Sequence, residues 1–326
     1  MEFRLEFTPK EFDVKINHSN QLFLAGSCFT EQIGAKLAQH KFQIIDNPHG
    51  ILFNPISISK AISSYIQNKR YTESDLFFHN ELWGSLDHHT KFSSIHQSEC
   101  LNKINTSQEV AHQALKNADW LILTLGSSFA YQIDNERVVA NCHKVPTDKF
   151  EKKLYNATEI VDVLNQMLQD LKIFNPKLKI IFTISPVRHL RDGFVENNRS
   201  KANLISAVHQ LTEKNQSVLY FPSYELIIDD LRDYRFFAED MVHPNYAATN
   251  YVWEKFLATC IDEDSKQLMK EISIIRNARN HKPFNPESAQ HQKFLSTNLE
   301  KVLKLKETHS YIDFSDEIEF FSQNKS

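Results

Sequence analysis

Three residues carry the chemistry open to this chain. Ser27 stands directly after Gly26, and far downstream Asp240 and His243 are spaced as Asp-x-x-His. A serine hydroxyl becomes a nucleophile only when a base takes its proton. The base needs a partner that fixes its tautomer, and the oxyanion formed on attack needs hydrogen-bond donors. A turn over 240–243 can lay the Asp240 carboxylate beside the His243 ring. Each residue also has a purely structural alternative. A serine after a strand can simply cap a helix, and so can Asp240; His243, next to Pro244, suits a half-buried helix-entry position.

The elements around these residues favour the chemical reading. The run Leu22–Ala25 is a short apolar strand, and from Thr30 to His40 the pattern turns helical, with Ile33, Leu37 and Ala38 on one face. A strand that breaks at Gly-Ser into a helix presents the hydroxyl at the carboxyl end of a sheet, beside the free N–H groups of a helix N-terminus. The same alternation recurs along the chain. Strands are expected at 42–45, 120–125, 179–184 and 218–221, and helices at 56–67, 107–117, 157–174, 201–215 and 246–261. Five βα units in one series predict a three-layer α/β/α, doubly wound, mainly parallel five-stranded sheet in flavodoxin-like order. Ser27, Gly50, Ser128, Ser185 and the segment before the last helix would then share one rim.

Two excursions interrupt the series. Residues 71–98, with Trp83, His79, His88 and His89, read as an insertion over the carboxyl edge of the sheet. Residues 129–146 read as a hairpin with Asp134-Asn135 at its tip. The domain boundary is placed at 261/262, so that 1–261 form the α/β domain and 262–326 a helical tail or small subdomain.

At 326 residues, with 41% hydrophobic and 24% charged residues, the chain is an ordinary globule with room for a large core. A net charge of −4 gives no electrostatic reason to expect nucleic acid or an anionic membrane as partner. Four scattered cysteines without a Cys-x-x-Cys spacing argue against zinc and against a disulfide framework. The charged N-terminus lacks the apolar core of a signal peptide, so a cytoplasmic location is expected. Asp87, His79, His88 and His89 match no standard metal-ligand spacing. No cofactor is called for, and the composition says nothing of oligomeric state.

Several blocks carry a family resemblance. Gly26-Ser27-Cys28-Phe29-Thr30, Asn47-Pro48-His49-Gly50-Ile51-Leu52-Phe53-Asn54-Pro55, Asn141-Cys142-His143-Lys144, Ser185-Pro186-Val187-Arg188-His189 and the stretch from Asp230 to His243 together resemble the GSCFA family, within the SGNH/GDSL-like hydrolases, over roughly residues 20–257. The resemblance implies Ser27 as nucleophile, His243 as base and Asp240 as its orienting partner. It also implies the Ser27 and Gly50 N–H groups as oxyanion donors. The third SGNH donor is an asparagine in a Gly-x-Asn-Asp block. Here the chain reads Gly126-Ser127-Ser128, leaving Ser128, or Asn47 or Asn141 from other loops, to replace it. Asn47, Asn141, His143, Arg188 and His189 are expected to line the substrate site. The activity implied is hydrolysis of a small-molecule or carbohydrate ester, such as an O-acetyl group. Acyl transfer on the same site, and a non-catalytic ligand-binding module, are the alternatives.

Overall fold

The computed structural model describes residues 5–134 and 137–322. Its centre is a five-stranded sheet: β1 (Gln21–Gly26), β2 (Gln43–Asp46), β3 (Trp120–Leu125), β4 (Lys179–Ile184) and β5 (Val218–Phe221). The order is β5-β4-β3-β1-β2, and every neighbouring pair is parallel. This is the expected flavodoxin-like arrangement. The central strands are buried on both faces, which explains why Trp-Leu-Ile-Leu-Thr-Leu in β3 is apolar without alternation.

Two helical layers cover the sheet. Phe23 and Ala25 of β1 point into one core with α2 (Pro55–Ile66), α3 (Gln97–Asn117), α4 (Ala157–Phe174) and α5 (Gly193–Lys214). Leu22 and Leu24 point into the other, with α1 (Cys28–Gln39) and α6 (Tyr246–Cys260). The alternation of β1 across the sheet thus divides its side chains between the two cores.

Three elements depart from the sequence-based expectation. Helix α3 starts at Gln97 rather than 107, because Cys100 and Ile104 bury against Tyr71 and Phe92 of the insertion. Helix α5 starts at Gly193 rather than 201; Phe194 and Val195 in its first turn are exposed, so no buried apolar stripe marks it. The strand Glu151–Leu154 pairs with Phe129–Ile133, so the hairpin expected at 129–146 is part of a three-stranded sheet. The hairpin tip includes Asp134, while Asn135 lies outside the described residues. The insertion holds a short hairpin, Phe77–His79 with Leu82–Gly84. It covers the loop after β2: His89 N–H donates to His49 O at 2.8 Å, and Lys91 Nζ to Asn47 O at 3.1 Å.

Beyond α6 the chain forms α7 (Glu263–Arg279), α8 (Ala289–Thr308) and α9 (Ser315–Ser322), which share a core of their own around Ile272, Leu299, Val302 and Phe314. Among the described residues, no helix is long and apolar enough to cross a membrane.

Gly26 fixes the end of β1. Its φ is +146°, and a Cβ there would lie 2.3 Å from the Thr124 carbonyl oxygen of β3. The clash is with backbone, which cannot swing aside. Gly26→Ala is expected to lower unfolding free energy by about 2–4 kcal/mol, from strain and overpacking combined. Urea denaturation checks this, and a variant within 0.5 kcal/mol of the parent, roughly the range of neutral surface changes, would contradict it.

Candidate active site

The register of the sheet brings the strand ends together. Gly26 pairs with Thr124, and Leu125 with Ile184. Ser27, Gly126 and Ser185, the residues that follow the three strands, therefore sit along one rim. The loop after β2 folds over it: Leu52 N–H donates to Gly26 O, and both Gly126 and Ser127 N–H donate to Phe53 O.

Ser27 is the N-cap of α1, its Oγ accepting from Phe29 N–H at 3.3 Å. Its own hydroxyl proton is donated to no acceptor among the described residues, and no hydrogen bond joins it to the His243 ring. Catalytic hydrogen bonds are commonly long in the free enzyme and tighten when substrate binds.

Asp240 and His243 are joined as the spacing predicts. His243 Nδ1 lies 2.6 Å from Asp240 Oδ2, while Asp240 Oδ1 accepts from the N–H groups of Val242 (2.9 Å) and His243 (3.0 Å). The helix cap is a different residue: Asn245 Oδ1 accepts from Ala248 N–H at the start of α6, leaving Asp240 to its own turn. The His243 N–H, then the Val242 N–H and the His243 ring, pull the Asp240 carboxyl down to about 2, so it stays ionised. An ionised Asp240 holds the proton of His243 on Nδ1 and leaves Nε2 free to accept one. The turn is half-exposed, and Met241 within it has a positive φ of 57°. Arg188, after β4, reaches this turn: its N–H donates to Val242 O at 3.3 Å, and its guanidinium lies over the rings of Phe237 (4.3 Å) and Tyr234 (5.1 Å).

The expected oxyanion donors are already engaged. Ser27 N–H donates to Thr124 O at 3.1 Å, and Gly50 N–H to Asn47 O at 2.7 Å in the turn that gives Gly50 its positive φ of 82°. Ser128 is fully enclosed behind the rim, with its N–H on Ser200 Oγ at 2.8 Å and no partner for its own Oγ among the described residues. A hole built from these three groups does not stand preformed. Asn47 is better placed: its Oδ1 accepts from Gly26 N–H at 2.8 Å, and its Nδ2 is buried without a partner among the described residues.

Asn141 and His143 belong to the packing of the two excursions. Asn141 Oδ1 accepts from His143 N–H at 2.8 Å, and His143 Nε2–H donates to Ser85 O at 2.7 Å. Burial raises the Cys28 and Cys142 thiols, which disfavours a thiolate at either position, Cys142 beside His143 included. His88 stacks on His49 with ring centroids 4.1 Å apart, and burial drives it down to about 3. Asp87 is held by Lys60 at 2.6 Å. Among the described residues, no group of three or more His, Cys, Asp or Glu side chains could hold a metal ion.

One residue of the rim escaped sequence reading. Lys201 of α5 is fully buried and spans two strand ends, its Nζ donating to Gly126 O and Ser185 O at 2.6 Å each. Burial lowers it to about 7. The signal was available, since Lys201 falls on the stripe of Leu204, Val208 and Leu211, where a solvated lysine has no place.

A five-stranded parallel sheet in this order between two helical layers defines a doubly wound α/β/α protein, here with a serine after its first strand and an Asp–His pair ahead of α6. The chain belongs to the GSCFA family: the family's model matches residues 21–256, and that of the GSCFA C-terminal domain matches residues 272–324. No functionally curated protein matches it. Similar solved structures include a carbohydrate esterase of family 3 from Talaromyces cellulolyticus, 12% identical with a TM-score of 0.35 over 77% of this chain and 98% of that one. Another is an acetyl xylan esterase from the rumen bacterium Butyrivibrio proteoclasticus, 13% identical with a TM-score of 0.36 over 81% of this chain and 65% of that one.

Proposed function

We propose that this protein is an SGNH-type serine esterase that removes a small acyl group, with O-acetylated carbohydrates as the substrate class. The observation that carries the reading is the 2.6 Å bond between Asp240 and His243, which leaves Nε2 free on a chain whose Ser27 hydroxyl has an uncommitted proton. Ser27 Oγ attacks the carbonyl carbon as its proton passes to His243 Nε2. The leaving alkoxide then takes that proton, and water, activated by the same nitrogen, releases the acid. The half-exposed His243 gives water access for the second step. Tyr234 is exposed beside Arg188, and the two offer a ring face and a guanidinium to a hydroxyl-rich substrate.

One observation favours a ligand-binding module instead: the Ser27 and Gly50 N–H groups are spent within the protein. Acetate release separates the two readings. O-acetylated sugars, aryl acetates and acyl thioesters are incubated with wild type and with Ser27→Ala, with and without an added acceptor alcohol. Ser27-dependent acetate from the sugars supports the esterase, and acyl-alcohol product in preference to acetate would make the enzyme a transferase. Absence of turnover on the whole panel would leave only the binding module.

The role of Asp240 gives a second prediction. In Asp240→Asn the amide would accept the same backbone N–H groups, but its NH₂ would face His243 Nδ1 and force the proton onto Nε2. Aryl acetate turnover is expected to fall by about 10³–10⁴ with the fold intact. A loss under tenfold would show that Asp240 does not set the tautomer.

A further inference from the structure

The N–H groups of Ser27 and Gly50 are engaged and Ser128 is enclosed, and one side chain lies beside Gly126, the residue that opens the block after β3. His189, in the loop after β4, brings its Nε2 to 3.2 Å from the position a Cβ on Gly126 would occupy. Gly126 follows β3 directly, two residues after the Thr124 whose carbonyl takes the Ser27 N–H. Only a glycine leaves room for the ring here, since the same Cβ would also meet Phe53 Cβ at 2.8 Å.

The residue is held at its backbone and at its ring. The His189 backbone N–H donates to Asn197 Oδ1 at 2.9 Å, and the imidazole packs against the Phe53 ring with centroids 5.2 Å apart. Yet Nε2 is buried with no hydrogen-bond partner among the described residues. Burying a polar atom without a partner costs stability, so a position that retains one calls for an explanation in use. Burial first, then the neighbouring Lys201 and His243 charges, lower His189 to about 4, which makes it a neutral imidazole at ordinary pH. A neutral imidazole can still donate a hydrogen bond to developing negative charge.

We infer that His189, with its proton on Nε2, is the side-chain oxyanion donor of this site, replacing the asparagine that the chain lacks after Gly126. The inference rests on the serine-esterase reading. When the Ser27 Oγ–carbon bond forms, the carbonyl π pair moves onto oxygen, and that oxygen accepts the Nε2–H bond of His189. When the C=O re-forms, the alkoxide leaves with the proton held by His243, and His189 keeps its own proton throughout. It contributes electrostatically and transfers nothing.

The test compares kcat and KM for p-nitrophenyl acetate, and inhibition by an alkylboronic acid, in wild type and in His189→Ala, His189→Asn and Asn47→Ala. Thermal midpoints serve as the folding control. His189→Ala should lower kcat by about 10²–10³ with KM nearly unchanged, and boronate binding should weaken in step. His189→Asn, a donor that cannot act as a base, should recover at least about tenfold of that loss, the recovery expected when a donor is restored. A folded His189→Ala with wild-type kcat overturns the inference. So does an equal loss in His189→Asn, or a loss confined to Asn47→Ala. Hydrolysis that needs Ser27 and His243 but not His189 defeats this inference alone. A wild type without hydrolysis defeats the esterase reading and this inference with it.

Discussion

Ser27→Ala and His243→Ala should each lower turnover of a simple acyl ester by about 10⁴–10⁶, and the double variant should be little worse than either. The non-additivity follows from the chemistry. Without the serine there is no acyl-enzyme for the base to assist, and without the base the hydroxyl keeps its proton. The 2.6 Å Asp240–His243 bond makes the pair a unit before substrate arrives. Neither substitution should cost much stability. His243 is half-exposed, and the serine hydroxyl contributes a single long cap bond of 3.3 Å to α1. Steady-state kinetics on the three variants, with circular dichroism as control, reads this directly. Losses that multiply in the double variant would mean that Ser27 and His243 act in separate processes.

The second large effect concerns Lys201. Its ammonium is enclosed between two carbonyls, with no carboxylate among the described residues bonded to it. Its folded value of about 7 lies well below that of an unfolded lysine, about 10.4. Below pH 7 both states carry the proton, and the penalty of burying the charge is fully present. Between about 7 and 10.4 the unfolded chain binds more protons, so this group makes stability rise with pH. The rise is on the order of 4 kcal/mol across the window. Lys201→Met removes both the charge and the two donors. At pH 6 relief of the buried charge offsets the loss of two hydrogen bonds, and the variant should lie near wild type. At pH 9.5 wild type should be the more stable by about 2–4 kcal/mol, since lysine then bonds both carbonyls without a charge penalty. Urea unfolding of both proteins at the two pH values checks it, because other titrations cancel in the difference. Parallel pH curves would contradict it.

Much of the frame was legible in the residues. The five strands each end at a break in pattern, and their order follows from the regular alternation with helices. The Asp240–His243 bond was legible because three residues span one turn. Helix starts were less so. The first turn of α3 is mainly polar and that of α5 exposes Phe194 and Val195, and Cys100 and Ile104 become core only once the insertion supplies Tyr71 and Phe92. The strand Glu151–Leu154 opens with three charged residues and none of its residues is fully buried, so no apolar alternation marks it. The core of α7–α9 depends on pairing Ile272 with Val302 and Phe314 across long separations, which no local window contains. Backbone donors are harder still. That the N–H groups of Ser27 and Gly50 are already committed is a property of chain geometry, not of residue type. His189, by contrast, stood in a block already singled out, and only its position over Gly126 was missing.

Treating the full chain with a serine-directed fluorophosphonate and locating the adduct by peptide mass spectrometry tests Ser27 as the nucleophile. A single adduct on Ser27 in wild type, absent from His243→Ala, is the predicted result. A folded wild type that stays unmodified, or carries its adduct on another serine, would contradict it.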